Sequence, residues 1–204
     1  MRHTQIPLFA PDTEWLMPEE LKDLKGYKEI AIDLETNDPG LIELGSGNVV
    51  GRGHIAGIAV AVEGWSGYFP IHHEQGGNLD RALVLGWIQE IFKQEDTTFI
   101  FHNAMYDVCW LRSAGITIKG KIVDTMIAAS LIDENRMSYQ LNALAKHYVG
   151  IGKDENVLNA AAKEYGLDPK KDMWRLPALF VGQYAERDAE ATLKLWKRLE
   201  SEMY

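Results

Sequence analysis

The segment EIAIDLET, residues 29–36, decides the fold, because a β-branched, apolar run leads directly into two acids. Side chains two positions apart on a strand project from the same face of a sheet. We therefore expect the apolar residues at the even-numbered positions to pack into a core on one face. Asp33 and Glu35 would then point together toward the other face, where two neighbouring acids make a cation site.

A hairpin and then alternating helices and strands are predicted after this strand. Residues 55–62 and 65–71 are apolar runs joined by Glu63 and Gly64, which indicates two antiparallel strands. Hydrophobic spacing and capping residues predict a helix over 79–92, a strand over 97–101, a helix over 103–113 capped by Asn103, a strand within 116–123, a helix capped by Asp124, and helices over 138–148, 155–165 and 179–203. This order predicts an α/β fold with a mixed sheet flanked by helices.

The length of 204 residues favours one domain with a full core. We expect residues 1–27 to form a lead-in segment and residues 28–204 to form the domain itself. The lead-in is predicted to hold a short helix over 18–25, with Leu16, Leu21 and Leu24 as its apolar anchors. Residues 40–53 contain five of the eighteen glycines and are predicted to be a mobile loop without the residue order of a phosphate-binding P-loop.

The composition excludes several classes of protein. With 46% hydrophobic and 25% charged residues, the chain is typical of a soluble globular protein. No apolar run is long enough for a membrane span, and the first ten residues lack a secretory signal, so no membrane partner and a cytoplasmic location are expected. Cys109 is the only cysteine, which excludes an intrachain disulfide and makes a thiolate metal site implausible.

The formal net charge of −9 argues mildly against tight binding of nucleic acid, since lysine and arginine contacts to phosphate supply most of that affinity. The run DPKKD, residues 168–172, is interpreted as a solvated turn. If the substrate is a nucleic acid, we expect weak, salt-sensitive binding by this chain alone and delivery of the strand by a partner.

Two further acids stand in segments where their side chains can meet the first pair. Asp107 lies in the helix over 103–113 beside apolar neighbours, so it should border a buried face. Tyr184 and Asp188 are four apart in the last helix and therefore share one helical face. Each feature alone is commonplace, because exposed acids and amphipathic helices are frequent.

The segments IAIDLET, HNAMYD and YAERDAEATLKL, in this order, resemble the three exonuclease motifs of the DEDD superfamily in its tyrosine subtype. They are most similar to the proofreading domain of family A DNA polymerases, of the bacterial polymerase I type and its phage relatives. The resemblance covers about residues 29–199 and includes the intervening stretches YFPIHH, KIVDTMIAASLI and YQLNALAKHYVG.

This resemblance implies a ribonuclease H-like fold of the DnaQ-like exonuclease type, with a five-stranded mixed sheet of three antiparallel and two parallel strands. It also implies a 3′→5′ exonuclease that uses two divalent metal ions, Mg²⁺ or Mn²⁺. Asp33 would bridge both ions, Glu35 and Asp188 would complete the first site, and Asp107 would hold the second largely through water. Tyr184 would orient the attacking water.

The resemblance further implies contacts to the terminal nucleotide or its phosphates. They are expected from Thr36, Leu41, His102, Asn103 and Tyr106, with Leu41 wedged against the last base. The implied partners are the 3′ end of single-stranded DNA and a DNA polymerase module in the same or a separate chain, in a bacterial or phage-infected cell.

Two other functions remain open from the sequence. One is a 3′→5′ exonuclease for RNA, of the ribonuclease D or oligoribonuclease type, since the same acids would serve and contacts to a 2′-hydroxyl cannot be located. The other is a catalytically silent interaction domain. All four acids and the tyrosine are present, which argues against the silent domain.

Overall fold

The computed structural model describes residues 10–152 and 154–203. Its five strands are β1 (Glu29–Asn37), β2 (His54–Val62), β3 (Trp65–Pro70), β4 (Thr98–Phe101) and β5 (Lys121–Asp124). Its α-helices are α1 (Leu41–Leu44), α2 (Arg81–Phe92), α3 (Ala104–Ser113), α4 (Thr125–Ile132), α5 (Leu141–Val149), α6 (Asn156–Tyr165) and α7 (Gly182–Met203). Three short 3₁₀ helices span Gly47–Val50, Met173–Arg175 and Ala178–Phe180.

The sheet is mixed, with the strand order β3-β2-β1-β4-β5. β1 pairs antiparallel with β2, and β2 with β3, while β4 is parallel to both β1 and β5. Glu63 and Gly64 join β2 to β3, and Gly64 has the positive φ of 76° that this tight turn requires. The prediction of a five-stranded sheet with three antiparallel and two parallel strands is confirmed.

Two cores cover opposite faces of the sheet, as the alternation in β1 predicts. Ile30, Ile32 and Leu34 pack in one core with residues of α2 and α3. Ala31 packs in the other core, which contains α7. Small residues line this second contact on both sides, namely Ala31, Ala59 and Ala61 from the sheet and Ala185 and Ala189 from α7. Small side chains let a helix approach a sheet closely, so α7 lies against the face toward which Asp33 points.

The predicted helix over residues 18–25 is wrong, because this stretch has no helical structure. An isolated helix of eight residues is marginal in water, and here tertiary contacts use the backbone instead. The indole Nε1 of Trp87 donates to the carbonyl oxygen of Lys22 at 2.9 Å, and Leu24 is buried in the core beneath α2. Leu16 is not an anchor, since 84% of its surface is exposed.

Trp15 is buried, as Leu24 is, whereas its neighbour Leu16 faces solvent. Its side chain is 7% exposed, and its indole Nε1 donates to Oε1 of Glu186 in α7 at 2.8 Å. The ring lies directly against the backbone of Gly182, where a Cβ would overlap it. The lead-in segment is therefore packed onto the first two turns of α7. Its first nine residues lie outside the described part of the chain.

Apart from the helix over residues 18–25, the predicted helices and strands exist, with shifted ends. Helix α2 begins at Arg81 because Asp80 caps it, accepting a hydrogen bond from the Leu83 amide at 2.9 Å. Helix α7 begins at Gly182, since residues 178–180 form a 3₁₀ turn. The segment 40–53 holds α1 and a 3₁₀ helix. It is tied to the end of β1 by the Gly47 amide, which donates to the Asp38 carboxylate at 2.9 Å. Among the described residues, no helix is both long and apolar enough to cross a bilayer.

Candidate active site

Asp33 and Glu35 lie on the face of β1 that α7 covers. They share the side of the strand that carries Ala31, and both are partly exposed. In β2, Asp33 faces Ala59 and Glu35 faces Gly57, so only small residues stand beside the two carboxylates. The strand register shifts between Glu35 and Thr36, directly after the acids, and the pairing then continues to Asn37.

Tyr184 and Asp188 come to this face from α7. Ala185 and Ala189 pack against the sheet, which directs the neighbouring helical positions toward the end of β1. The Tyr184 hydroxyl hydrogen-bonds to the Asp188 side chain one turn along the helix. The shared helical face is as predicted. The sequence suggested a hydrogen bond from the tyrosine to a water near a metal, and here the hydroxyl donates to the carboxylate itself.

Asp107 reaches the same region from α3. Its side chain is 4% exposed, as expected for an acid beside a buried face, and its carboxylate accepts a hydrogen bond from the Leu34 amide. Leu34 stands between Asp33 and Glu35 in β1. The hydrogen bond therefore fixes the third acid directly beside the first two.

The raised pKa values of the acids reflect their burial and their closeness to one another. Burial raises the pKa of Asp33 well above its usual value, and the negative charge of Asp188 raises it further. Burial also raises the pKa of Glu35, with Asp33 and Asp188 adding to it. For Asp107, burial is again the largest cause of a raised pKa, followed by Asp33 and Glu35, while the Leu34 amide acts in the opposite direction. Carboxylates from three elements thus oppose one another's ionisation.

The chemistry of this donor set fits a hard divalent cation, because carboxylate oxygens are the ligands that Mg²⁺ and Mn²⁺ prefer. The acids are nevertheless not closed around a single point. In residues 10–152 and 154–203, no three histidine, cysteine or acidic side chains are grouped tightly enough to ligate one metal ion. Like-charged carboxylates repel one another, so a cation is needed to draw them together.

Three of the residues expected to contact substrate share a groove beside this cluster. Thr36, Leu41 and Tyr106 line a groove of about 460 Å³. The Tyr106 hydroxyl donates to the Asp38 carboxylate at 3.1 Å and lies 2.7 Å from Oγ1 of Thr36. Because that hydroxyl has a single hydrogen, Thr36 is the donor in the shorter contact. Leu41 begins α1 and is 42% exposed.

His102 and Asn103 do not line this groove. The His102 ring hydrogen-bonds through Nδ1 to Oγ1 of Thr125 at 2.8 Å, and burial lowers its pKa. Asn103 is exposed and has a φ of 65°, and its side chain makes no capping hydrogen bond. Asn103 therefore stands at the N-cap position of α3 as predicted, but its side chain does not cap the helix.

Asp124 supplies the missing cap. Its carboxylate accepts from the amides of Asn103 at 3.0 Å and Ala104 at 2.8 Å, at the start of α3. It also accepts from Met126 at 2.9 Å and Ile127 at 3.4 Å, which is the predicted cap of α4. One carboxylate thus caps two helices, and one of them carries Asp107. Sequence alone shows only the local cap, since the other lies some twenty residues away.

A buried hydrogen-bond chain stands behind Glu35. His73 Nδ1 lies 2.9 Å from the Leu176 carbonyl, which can only accept, so Nδ1 carries the proton. Nε2 is then the acceptor for the Tyr68 hydroxyl at 2.6 Å. Tyr68 packs directly against Gly57, where any Cβ would overlap its hydroxyl. Burial lowers the pKa of His73 to about 4, which keeps the ring neutral at pH 7.

The mixed five-stranded sheet flanked by helices defines the ribonuclease H-like fold. Brucella melitensis NrnC, solved bound to pGG, aligns with a TM-score of 0.62 and 20% identity, covering 90% of this chain and 78% of that one. Ribonuclease D of Trypanosoma brucei aligns with a TM-score of 0.60 and 20% identity, covering 85% and 58%. At these identities the two structures show the fold alone.

Sequence comparison gives the family within that class. The family model described as 3′-5′ exonuclease matches residues 8–204. The DNA-directed DNA polymerase of Pseudomonas phage M6 is 42% identical over 212 residues, covering 100% of this chain and 32% of the phage protein. This chain therefore belongs to the 3′-5′ exonuclease domain family of family A DNA polymerases, and it spans about a third of the length of this relative.

Proposed function

We propose that this chain removes nucleotides one at a time from the 3′ end of DNA, using two divalent ions, Mg²⁺ or Mn²⁺, held by Asp33, Glu35, Asp107 and Asp188. The proposal rests on the proximity of acids from β1, α3 and α7. Besides burial, the charge of Asp188 raises the pKa of Asp33, Glu35 and Tyr184, and the charges of Asp33 and Glu35 raise that of Asp107. Such a cluster is unfavourable to folding on its own, and a bound cation offsets its cost.

In the proposed reaction, water attacks the terminal phosphorus and the bond to the 3′ oxygen of the preceding nucleotide breaks. The products are a nucleoside 5′-monophosphate and a strand with a new 3′ hydroxyl. When bound, the two ions supply an activated water and neutralise charge on the leaving oxygen. The four carboxylates hold and space these ions.

Tyr184 is proposed to position the water and not to deprotonate it. Burial, with Asp188, Glu35 and Asp33 adding to it, raises the pKa of this phenol far above 10. The hydroxyl therefore stays protonated at neutral pH. It donates its hydrogen to Asp188 and can accept one from the attacking water, which fixes the direction from which the water approaches.

The chain is further proposed to edit for a DNA polymerase module, in the same or a separate chain. The phage relative is a DNA polymerase, and this chain matches about a third of it. The net charge of −9 supports delivery of the strand by such a partner, because weak intrinsic affinity then suffices.

The test is stepwise degradation of a 5′-labelled DNA strand, and of RNA with the same sequence, in Mg²⁺ or Mn²⁺. We expect a ladder of shortened DNA products that disappears with chelator and in Asp33→Ala. A ladder from RNA alone would change the substrate class to that of an RNA exonuclease. No products from either strand, with a folded wild-type chain, would favour the silent interaction domain.

A further inference from the structure

We propose that residues 168–175 form the second wall of a groove that binds single-stranded DNA upstream of its 3′-terminal nucleotide. Lys170 and Lys171 would contact backbone phosphates, and Trp174 would stack on a base. The inference rests on the proposed function and extends it to a segment that the sequence suggested was only a solvated turn.

The groove begins at Thr36 and Tyr106, each one residue along the chain from an acid of the cluster. One wall comes from the segment that follows β1, with Thr36 and Leu41, and from Tyr106 in α3. The opposite wall contains Lys170, Lys171 and the Trp174 ring. Thr36 directly follows Glu35 in the chain, so a strand whose 3′ end meets the acids would leave them along this groove.

The two lysines are free to meet phosphate. Both are exposed, and neither forms a salt bridge within 4.0 Å of any acid in the described residues. Their backbone amides both donate to the Asp168 carboxylate at 2.8 Å, which holds the turn, and this exposed acid also attracts the two side-chain charges. Asp172, which also lines the groove, lies 3.8 Å from Arg175.

The segment is attached firmly to the rest of the domain. The Trp174 carbonyl accepts from the Glu74 amide at 2.9 Å, and Arg175 forms a salt bridge with the Glu74 carboxylate at 2.9 Å. His73 bonds the Leu176 carbonyl at 2.9 Å. A wall that is already ordered loses little conformational freedom when a strand binds, which favours binding.

Trp174 provides the aromatic surface that a base needs. Its ring is partly exposed and meets the His54 ring edge-on, with 5.4 Å between centroids and an angle of 90°. His54 in turn stacks on His72 at 3.8 Å. Bases stack on such rings with little regard to sequence, as an enzyme that shortens any 3′ end requires.

Acids in the groove limit its affinity. Asp38 and Glu43 also line it, although the Asp38 carboxylate already accepts from Tyr106 and Gly47. Among the residues that line the groove, Lys170 and Lys171 are the cations that can meet phosphate. We expect weak binding whose dependence on salt comes largely from this pair.

The test compares substrates with and without an upstream strand. The p-nitrophenyl ester of thymidine 5′-monophosphate has a scissile phosphodiester only, while (dT)8 also fills the groove. The measured quantity is the ratio of kcat/KM for (dT)8 to that for the ester. In 50 mM salt we expect this ratio to fall roughly tenfold in Lys170→Ala/Lys171→Ala, with a shallower salt slope. In Trp174→Leu we expect a fall of about fivefold or more, with partial recovery in Trp174→Phe.

A matched control removes equal charge elsewhere. Lys25→Ala/Lys28→Ala alters two exposed lysines just before β1. That end of the nine-residue strand is roughly 30 Å from the groove, so the wild-type ratio should persist. If the ratio of kcat/KM for (dT)8 to that for the ester stays within twofold of wild type in both groove variants, the proposed binding of DNA in the groove is overturned.

Failure of the proposed function is distinguishable from failure of the groove. If the wild type hydrolyses neither substrate, catalysis fails, and the groove is then judged by anisotropy of fluorescein-labelled (dT)8 in low salt with chelator. Binding that weakens in the groove variants and not in the control supports it. Absent binding, or equal binding by all variants, overturns it.

Discussion

Tyr184 illustrates how surroundings decide what a side chain can do. Its phenol donates to Asp188, and burial together with nearby carboxylates raises its pKa far above that of a free phenol. A group that never loses its proton near neutral pH is a poor general base, and it remains a good hydrogen-bonding guide for a water molecule.

Replacing Tyr184 with phenylalanine should therefore slow the reaction without abolishing it. We expect kcat to fall by roughly 10- to 100-fold, because the water loses its alignment while the acids stay in place. The measurement is single-turnover cleavage of labelled DNA at saturating Mg²⁺. Tyr165→Phe is the matched control, since this partly buried tyrosine lies in α6 and its ring packs beside Phe180. A Tyr184→Phe rate equal to that of wild type would remove the tyrosine from the mechanism.

Sequence could indicate the acids and the tyrosine, because their spacing on single elements is a local property. Asp33 and Glu35 share a strand face, and Tyr184 and Asp188 share a helical face. The surroundings that set their behaviour come from distant residues, such as the amide of Leu34 against Asp107. Lys170 and Trp174 carried no local signal of a groove, since the opposite wall is formed by distant parts of the chain around Thr36 and Tyr106.

At the level of elements, Asp124 links the starts of α3 and α4. Its carboxylate accepts four backbone hydrogen bonds, two from each helix. Capping acids also interact favourably with the positive end of a helix. The helix that carries Asp107 is thus held in place by the residue that also caps α4.

Asp124→Ala should destabilise the protein by about 2 to 3 kcal/mol, since each lost cap costs about 1 kcal/mol and the partly buried amides of Ala104 and Met126 are left unpaired. Asp80→Ala is the matched control, because Asp80 caps α2 alone and should cost about 1 kcal/mol. Urea unfolding followed by circular dichroism measures both. Equal costs for the two variants would show that the second cap contributes nothing.

The ends of elements were less predictable than their existence, for physical reasons. The helix expected over residues 18–25 is absent because tertiary contacts replace it. Leu24 is buried in the core beneath α2, and the Lys22 carbonyl accepts a hydrogen bond from Trp87 in α2. Trp15 was overlooked because its partner Glu186 is 171 positions away in sequence. Long apolar runs such as β2, by contrast, are buried along nearly their whole length, and their sequence predicts a buried strand directly.

At the level of the whole molecule, we expect the acid cluster to make stability depend on pH and on metal. The raised pKa of Asp107 means that the folded chain holds a proton that the unfolded chain releases between the two pKa values. In the absence of metal, the contribution of this carboxyl to stability is therefore fully present below its unfolded pKa of about 4 and is lost as pH rises through the folded pKa. We expect a bound divalent cation to offset this loss by stabilising the ionised form.

Asp107→Asn should consequently raise Tm in chelator at pH 8, because an uncharged amide can still accept from Leu34. Each pKa unit is worth about 1.4 kcal/mol, which corresponds to roughly 3 to 6 °C in a domain of this size. The difference from wild type should shrink toward pH 4. Added Mg²⁺ should raise the Tm of wild type more than that of the variant, as followed by calorimetry. A variant less stable than wild type in chelator at pH 8 would contradict this account.

The packing of Trp15 against α7 gives the lead-in segment a mechanical role. Its indole lies on Gly182 and is bonded to Glu186, so it clasps the turn from which Tyr184 projects. We expect a force on the polypeptide ahead of this tryptophan to reach the first turns of α7 through the ring. The seating of Trp15 would thereby influence how the Tyr184 hydroxyl is aligned.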